Sequence, residues 1–331
     1  MRFFLEFNGR TPASPERKRR GLAPKSPERK RRGLAPKSPE RKRRGDARDA
    51  PGAAPPGSRP GLGVGERKRR GRLGAVTRTV LTVVVVSTLR ADAAGPPTLA
   101  GPAMGTTYRV TLGGEISGLT QGEVHREIED VLARVDRALS TWRSDSDASR
   151  FNRASAGEWV SVAPDLVAVV TIARQVHDDT GGAFDITAAA GTVAGMHLIE
   201  VREQVPALRK ARDGVTLDLG GIGPGYAVDA IGARLLAIGS KNHLVELGGE
   251  VRAWGSPPSG GRWRVAIRGT RDVWELAPGE AVATSTVRPG RSPVDPRTGR
   301  VVTPRLPSAT VRAATCAEAD ARAVAKLVLG P

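Results

Sequence analysis

A single cysteine, Cys316, stands in 331 residues. This excludes an intrachain disulfide and any cysteine-rich metal centre. Phe, Trp and Tyr together make up 4% of the chain, so a ring beside a motif is weighed as a stacking surface before it is weighed as core. None of the 4 histidines falls at metal-ligand spacing. His125 and His177 lie in helical patterns, and His197 and His243 stand alone. Each reads as a surface or hydrogen-bonded histidine, not a ligand. There is no G-x-S-x-G elbow to carry a nucleophile, and no G-x-x-x-x-G-K-S/T phosphate loop.

Acidic residues are scarce at one end only. Residues 1–94 hold 25 Lys and Arg against 8 Asp and Glu, which is +17 of the chain's +18. The sequence pI of 11.2 therefore describes a tail. The near-neutral remainder argues against a nucleic-acid partner. Within the tail, S-P-E-R-K-R-R-G-L-A-P-K occurs at Ser14 and again at Ser26, and shortened copies return at Ser38 and Glu66. A short repeat dense in Pro, Gly and like charge cannot bury a core, and residues 1–65 read as a disordered leader. Residues 66–94 then follow the order of a secretory signal: a basic stretch to Arg78, an apolar run from Thr79 to Leu89, and Ala91-Asp92-Ala93 as a cleavage site. A membrane span needs about 20 apolar residues, more than this run provides. The expected mature chain, residues 95–331, works outside the cytoplasm, in a periplasmic or similar compartment.

What remains is long enough for one large domain. Thr106–Leu112 alternates as a strand. Thr120 and Glu123 form a capping-box pair ahead of Val124, Ile128, Val131 and Val135, so a helix runs to about Ser140. Pro164 opens a second helix that Gly181-Gly182 stops. Val215–Leu219 reads as a strand, Gly225–Ile238 as a helix, Leu244–Leu247, Arg262–Ile267 and Ala309–Ala313 as strands, and Ala317–Leu329 as a closing helix. Strands and helices mix without regular alternation, which favours an α+β fold over a doubly wound sheet.

The densest motif is T-L-D-L-G-G-I-G-P-G-Y-A-V-D-A-I, residues 216–231, with Gly220, Gly221, Gly223 and Gly225 between an apolar run and a helix. Such a turn can cradle phosphate at a helix start. A dinucleotide fingerprint is the rival reading. Its third glycine falls on Tyr226, while Glu246 stands where a ribose-binding acid is expected.

Further pieces are A-M-G-T-T-Y-R-V from Ala103, the polar loop L-S-T-W-R-S-D-S-D-A-S-R-F-N from Leu139, G-G-A-F-D-I-T from Gly181, L-V-E-L-G-G-E-V-R-A-W-G from Leu244, V-D-P-R-T-G from Val294, and A-E-A-D-A-R-A-V-A-K-L-V-L-G from Ala317. In this order they resemble the ApbE family, the FAD:protein FMN transferases, over residues 104–330.

The resemblance implies a single domain of mixed sheet and helices. It implies an enzyme that splits the diphosphate of FAD with Mg²⁺ and passes FMN to a Ser or Thr hydroxyl of a partner flavoprotein, in some cases a membrane-associated redox protein. A hydrolysing variant would release FMN and AMP, and a degenerate one would bind flavin without transfer. By resemblance, Gly221 gives Mg²⁺ a backbone carbonyl and Asp320 a carboxylate, with Asp320 and Asp218 in the catalytic roles. Met104, Trp142, Ala183, Phe184, Asp185 and Asp218 match positions that hold FAD. Three positions depart from the pattern: Pro224 replaces a Lys, Ser292 a His, and Val324 a metal-ligating Thr. The segment from Thr187 to Lys210 is also shorter than in the family.

Overall fold

In the computed structural model, residues 96–188, 195–287 and 292–331 are described. The expected leader and signal segment, residues 1–65 and 66–94, lie outside them. The chain opens with a hairpin, β1 (Thr98–Ala103) and β2 (Thr106–Leu112), then α1 (Gln121–Leu139) and α2 (Asp147–Arg153). There follow β3 (Val160–Ser161), α3 (Pro164–Asp179), β4 (Ile199–Arg202), β5 (Ala207–Lys210) and α4 (Gly223–Ala237). The second half is mostly strand: β6 (His243–Leu247), β7 (Glu250–Trp254), β8 (Trp263–Ala266), β9 (Val273–Leu276), β10 (Ala281–Thr286), β11 (Val294–Asp295), β12 (Arg300–Val301) and β13 (Ser308–Ala313). α5 (Cys316–Leu329) closes the chain.

Six strands form one sheet in the order β1-β2-β6-β7-β10-β13, and every neighbouring pair is antiparallel. Register fixes what each face meets, because side chains alternate along a strand. Tyr108, Val110, Val245, Leu247, Ala281 and Ala283 point to the face covered by helices and join the main core. Leu244, Val251, Ala253 and Val282 point the other way, onto the β8–β9 hairpin with Trp263, Val265 and Leu276. The α+β reading holds, and all described residues fall in one compact unit.

The helices form where local chemistry directs them. Thr120 caps α1 by accepting from Glu123 N at 3.2 Å, and the Glu123 carboxylate accepts in return from Thr120 N at 2.8 Å. Ser146 accepts from Ser149 N and starts α2 inside the stretch read as a polar loop. α4 starts at Gly223, so Pro224 sits at its second position, where a missing N–H is still harmless. Residues 215–219 correct one expectation: they join no ladder. Asn152 stands in for a neighbouring strand, its amide donating to Leu217 O at 3.1 Å and accepting from Leu217 N at 2.7 Å. The burial of Val215, Leu217 and Leu219 gives strand-like alternation without a partner strand.

Candidate functional site

The site begins at the glycine turn that leads into α4. Asp218 is tied in by its N–H to Ile186 O at 2.7 Å, and its carboxylate accepts from Gly220 N at 2.9 Å. A Cβ on Gly221 would lie 2.8 Å from Val324 Cγ2 and 3.6 Å from Phe184 Cε2. A Cβ on Gly223 would lie 3.5 Å from Met104 Cε and 3.8 Å from Leu139 Cδ1. Glycine is needed at Gly221 because another chain segment passes so close. Turn, α5, the residue 181–187 loop and the β1–β2 hairpin therefore meet at one point.

Asp320 is 3% exposed. One of its oxygens accepts from Gly225 N, in the first turn of α4, at 3.3 Å. Burial pushes its pKa up to about 7, and the Gly225 bond pulls it back only partly. Glu250 is buried too, and burial together with the Asp320 charge holds it well above the usual carboxylate range. Val324 lies one helical turn beyond Asp320 on α5 and presents only methyl groups to Gly221.

Met104 sits in the two-residue turn between β1 and β2 with φ of 47°, followed by Gly105 at 75°. Positive φ at both positions matches the turn to the strand twist, but a Met there holds a conformation that favours glycine. That conformation sets its thioether over the start of α4. The 181–187 loop is held from within. Asp185 accepts from Thr187 N at 2.7 Å and Thr187 Oγ1 at 2.6 Å. His177 Nδ1 lies 3.0 Å from Phe184 O and 3.2 Å from Asp185 Oδ2.

The ApbE family matches residues 104–331. This chain belongs to the ApbE family. It is 32% identical over 271 residues to the FAD:protein FMN transferase of Vibrio cholerae serotype O1, covering 70% of this chain and 81% of that protein. The Klebsiella pneumoniae protein of the same name is 30% identical, with 70% and 78% covered. Among solved structures, the flavin transferase ApbE of Vibrio cholerae superposes with a TM-score of 0.64 at 29% identity, covering 71% of this chain and 87% of that one. The Pseudomonas stutzeri flavinyl transferase ApbE, apo form, gives 0.64 at 31%, covering 71% and 84%. By this membership the chain is a transferase.

Within this ApbE fold, the expected residues separate into groups. Met104, Phe184, Gly221, Pro224, Asp320 and Val324 converge on the start of α4. Ala183 and Asp185 are buried beside Phe184, and Asp185 accepts from Thr187 N, Thr187 Oγ1 and Met196 N. Trp142 is 89% exposed. It stands in the loop that leaves α1 three residues after Leu139, with its ring free. Ser292 is exposed at the start of the β11–β12 hairpin. That hairpin reaches the site through Arg297, whose Cγ would lie 3.3 Å from a Cβ on Gly182. Residues 189–194 and 288–291 lie outside the described residues.

Sequence reasoning missed three contributors. His177 orients the Phe184–Asp185 segment, a role that its lone place on a helix did not signal. Glu250 stood in a glycine motif but was given no role. Asp229 accepts from Cys316 N and Ala317 N at 2.9 Å each and from Arg252 Nη1 at 2.7 Å, capping α5 from another helix. Its two backbone partners lie 87 and 88 residues away, beyond the range of local pattern.

Proposed function

We propose that this chain cleaves the diphosphate of FAD with Mg²⁺ and transfers FMN to a Ser or Thr hydroxyl of a partner flavoprotein. The observation that carries the reading is the meeting of Gly221, Asp320 and Phe184 at the N-terminus of α4, in a member of a family whose relatives are named for this reaction. The donors available there are hard oxygens, a carbonyl and a buried carboxylate with one backbone partner, and these suit a divalent cation of the Mg²⁺ class. Gly221 O and Asp320 would hold it, and when bound it would neutralise phosphate charge and polarise phosphorus.

The protein's own contribution is placement. The N-terminus of α4 presents positive partial charge to an anion, with Pro224 fixing its geometry but adding no cation. Met104 and Phe184 wall the turn with apolar surface, and the exposed Trp142 ring is free to stack on a flat base. Asp185 and His177 keep the Phe184 segment in place. Asp218 holds the turn closed through Gly220 N. Exclusion of water by these walls favours the acceptor hydroxyl over hydrolysis.

Val324 supports a second reading, in which the protein hydrolyses FAD to FMN and AMP or binds flavin without transfer. Its methyl packs on Gly221 where the family pattern has an oxygen. The test is to incubate the protein with FAD, Mg²⁺ and an acceptor flavoprotein, following AMP release and acid-stable flavin on the acceptor. Transfer requires both products in equal amount and their loss with EDTA. AMP without bound flavin supports hydrolysis, and neither product supports a binder. The proposal includes export of the chain after cleavage near Ala94, which the order of residues 66–94 supports.

A further inference from the structure

A groove of about 610 Å³ lies between the exposed faces of α1 and α4, and the proposed reaction does not use it. Its floor is made of small side chains, Ala133 from α1 with Ala230 and Ala233 from α4. Leu236, three residues beyond Ala233, is 46% exposed. Small residues let a second helix come close, toward the lower end of the roughly 8–10 Å at which packed helices lie. Part of the charge in the groove is answered within the chain. Arg134 meets Asp165 at 2.7 Å, and Arg234 meets Glu127 at 2.7 Å. Asp130 and Arg137 line the groove too. Both are exposed, and among the described residues neither side chain has an ion-pair or hydrogen-bond partner.

Asp130 and Arg137 stand seven residues apart on α1. That is two helical turns along one face, a separation of about 10 Å. Ala133 lies between them on the same face. Such a face complements its own copy. An identical helix laid antiparallel across it, with a two-fold axis between positions 133 and 134, brings each Asp130 opposite the other copy's Arg137, twice over. Arg134 lies nearest that axis, and the buried Asp165 already answers its charge. The unanswered charges of the groove are one of each sign, so a strongly acidic or strongly basic partner finds no complement here. We propose that this face binds a second copy of this chain, α1 against α1, as an antiparallel two-fold dimer. The small floor sets the contact distance, and the two Asp130–Arg137 pairs set the register.

The experiment is sedimentation equilibrium of the full chain, without FAD or metal. A dimer with Kd of about 10 µM or tighter is expected. Asp130→Arg sets like charges opposite one another at both ends of the contact, and it should weaken the dimer at least about tenfold. Arg137→Asp should do the same. The double variant Asp130→Arg with Arg137→Asp exchanges the two signs, and it should dimerise within about threefold of wild type. That rescue is the decisive readout, because a change in folding or in overall charge would not be reversed by adding a second substitution on the same helix. Ala133→Gln fills the floor at the axis without adding charge, and it should abolish the dimer even if a charge variant does not fold. Wild type that stays monomeric up to about 100 µM overturns the proposal. So does a dimer that the single variants leave unchanged, or a double variant as weak as either single one. None of these outcomes bears on AMP release from FAD, so the transferase reading stands or falls separately.

Discussion

Val324 shows how much one side chain decides. It faces Gly221 with 2.8 Å between its Cγ2 and the position of a Cβ there, so a Thr at this position would point its hydroxyl at the turn. Val324→Thr is nearly isosteric, and it is expected to lower the Mg²⁺ concentration needed for AMP release from FAD. With no cation nearby, a stranded hydroxyl would instead cost about 1–3 kcal/mol, seen as a lower melting temperature with no gain in activity. Position 324 drew attention through the family resemblance, which implies a metal-ligating Thr one helical turn beyond Asp320. The burial of Glu250 was not legible in the sequence, because a glycine-rich hairpin motif carries no sign of the face its last residue takes.

At the scale of elements, the site depends on how closely α4 and α5 approach. A Cβ on Gly225 would fall 2.4 Å from Cys316 O, and one on Gly232 would fall 2.0 Å from the Trp254 ring. Gly225→Ala must therefore push α5 away from α4. The cost should exceed about 3 kcal/mol, at the upper end of overpacking effects, and the Asp320–Gly225 bond should be lost with it. Chemical denaturation gives the first, and loss of Mg²⁺ affinity reports the second. Asp229 joins the same two helices to β7. Asp229→Ala leaves Arg252 and two α5 amides without their acceptor, and about 3 kcal/mol of stability should go with it, measurable in urea. α1, α3, α4 and α5 were readable in the sequence, whereas α2 formed in a stretch read as a polar loop. The closeness of α4 and α5 was signalled only by glycines whose purpose needs a partner to be seen.

The whole molecule answers to pH through groups on both sides of the core. His243 is buried on β6, stacked 4.7 Å from the Trp254 ring, with Nε2 unpartnered among the described residues. Burial lowers its pKa to about 4. The unfolded chain then binds a proton below pH about 6.5 that the folded chain refuses, so stability falls as pH drops from 6.5 to 4. The difference in unfolding free energy between wild type and His243→Phe should shift by about 3 kcal/mol over that window, with wild type losing more. Asp320 works in the opposite sense. Its raised pKa makes its contribution complete below about 3.8 and lost as pH rises through about 7, because ionising it in the interior is costly. Mg²⁺ should reverse that loss, so the melting temperature gained from the ion should be larger at pH 8 than at pH 6. Export adds a test at this scale: mass spectrometry of the protein from its host should find an N-terminus near Ala94, and a recovered repeat region would count against it.

The sequence by itself determined α1 with its Thr120 cap, α3, α4 and α5, the glycine turn before α4, the α+β class and the ordered motifs of the ApbE family. These are written in residues a few positions apart, where periodicity, capping and turn chemistry act. It suggested a strand at 215–219 because an apolar run lies there, but such a run does not supply a neighbour, and an Asn152 side chain took that place. Only the tertiary structure decided which charges meet. Asp320 reaches Gly225 across 95 residues, Asp229 holds the start of α5, and Glu250 is buried instead of turned out to water. Such meetings depend on sheet register and helix packing. Their energies come from burial in a shared interior, and no local stretch of the chain contains that information.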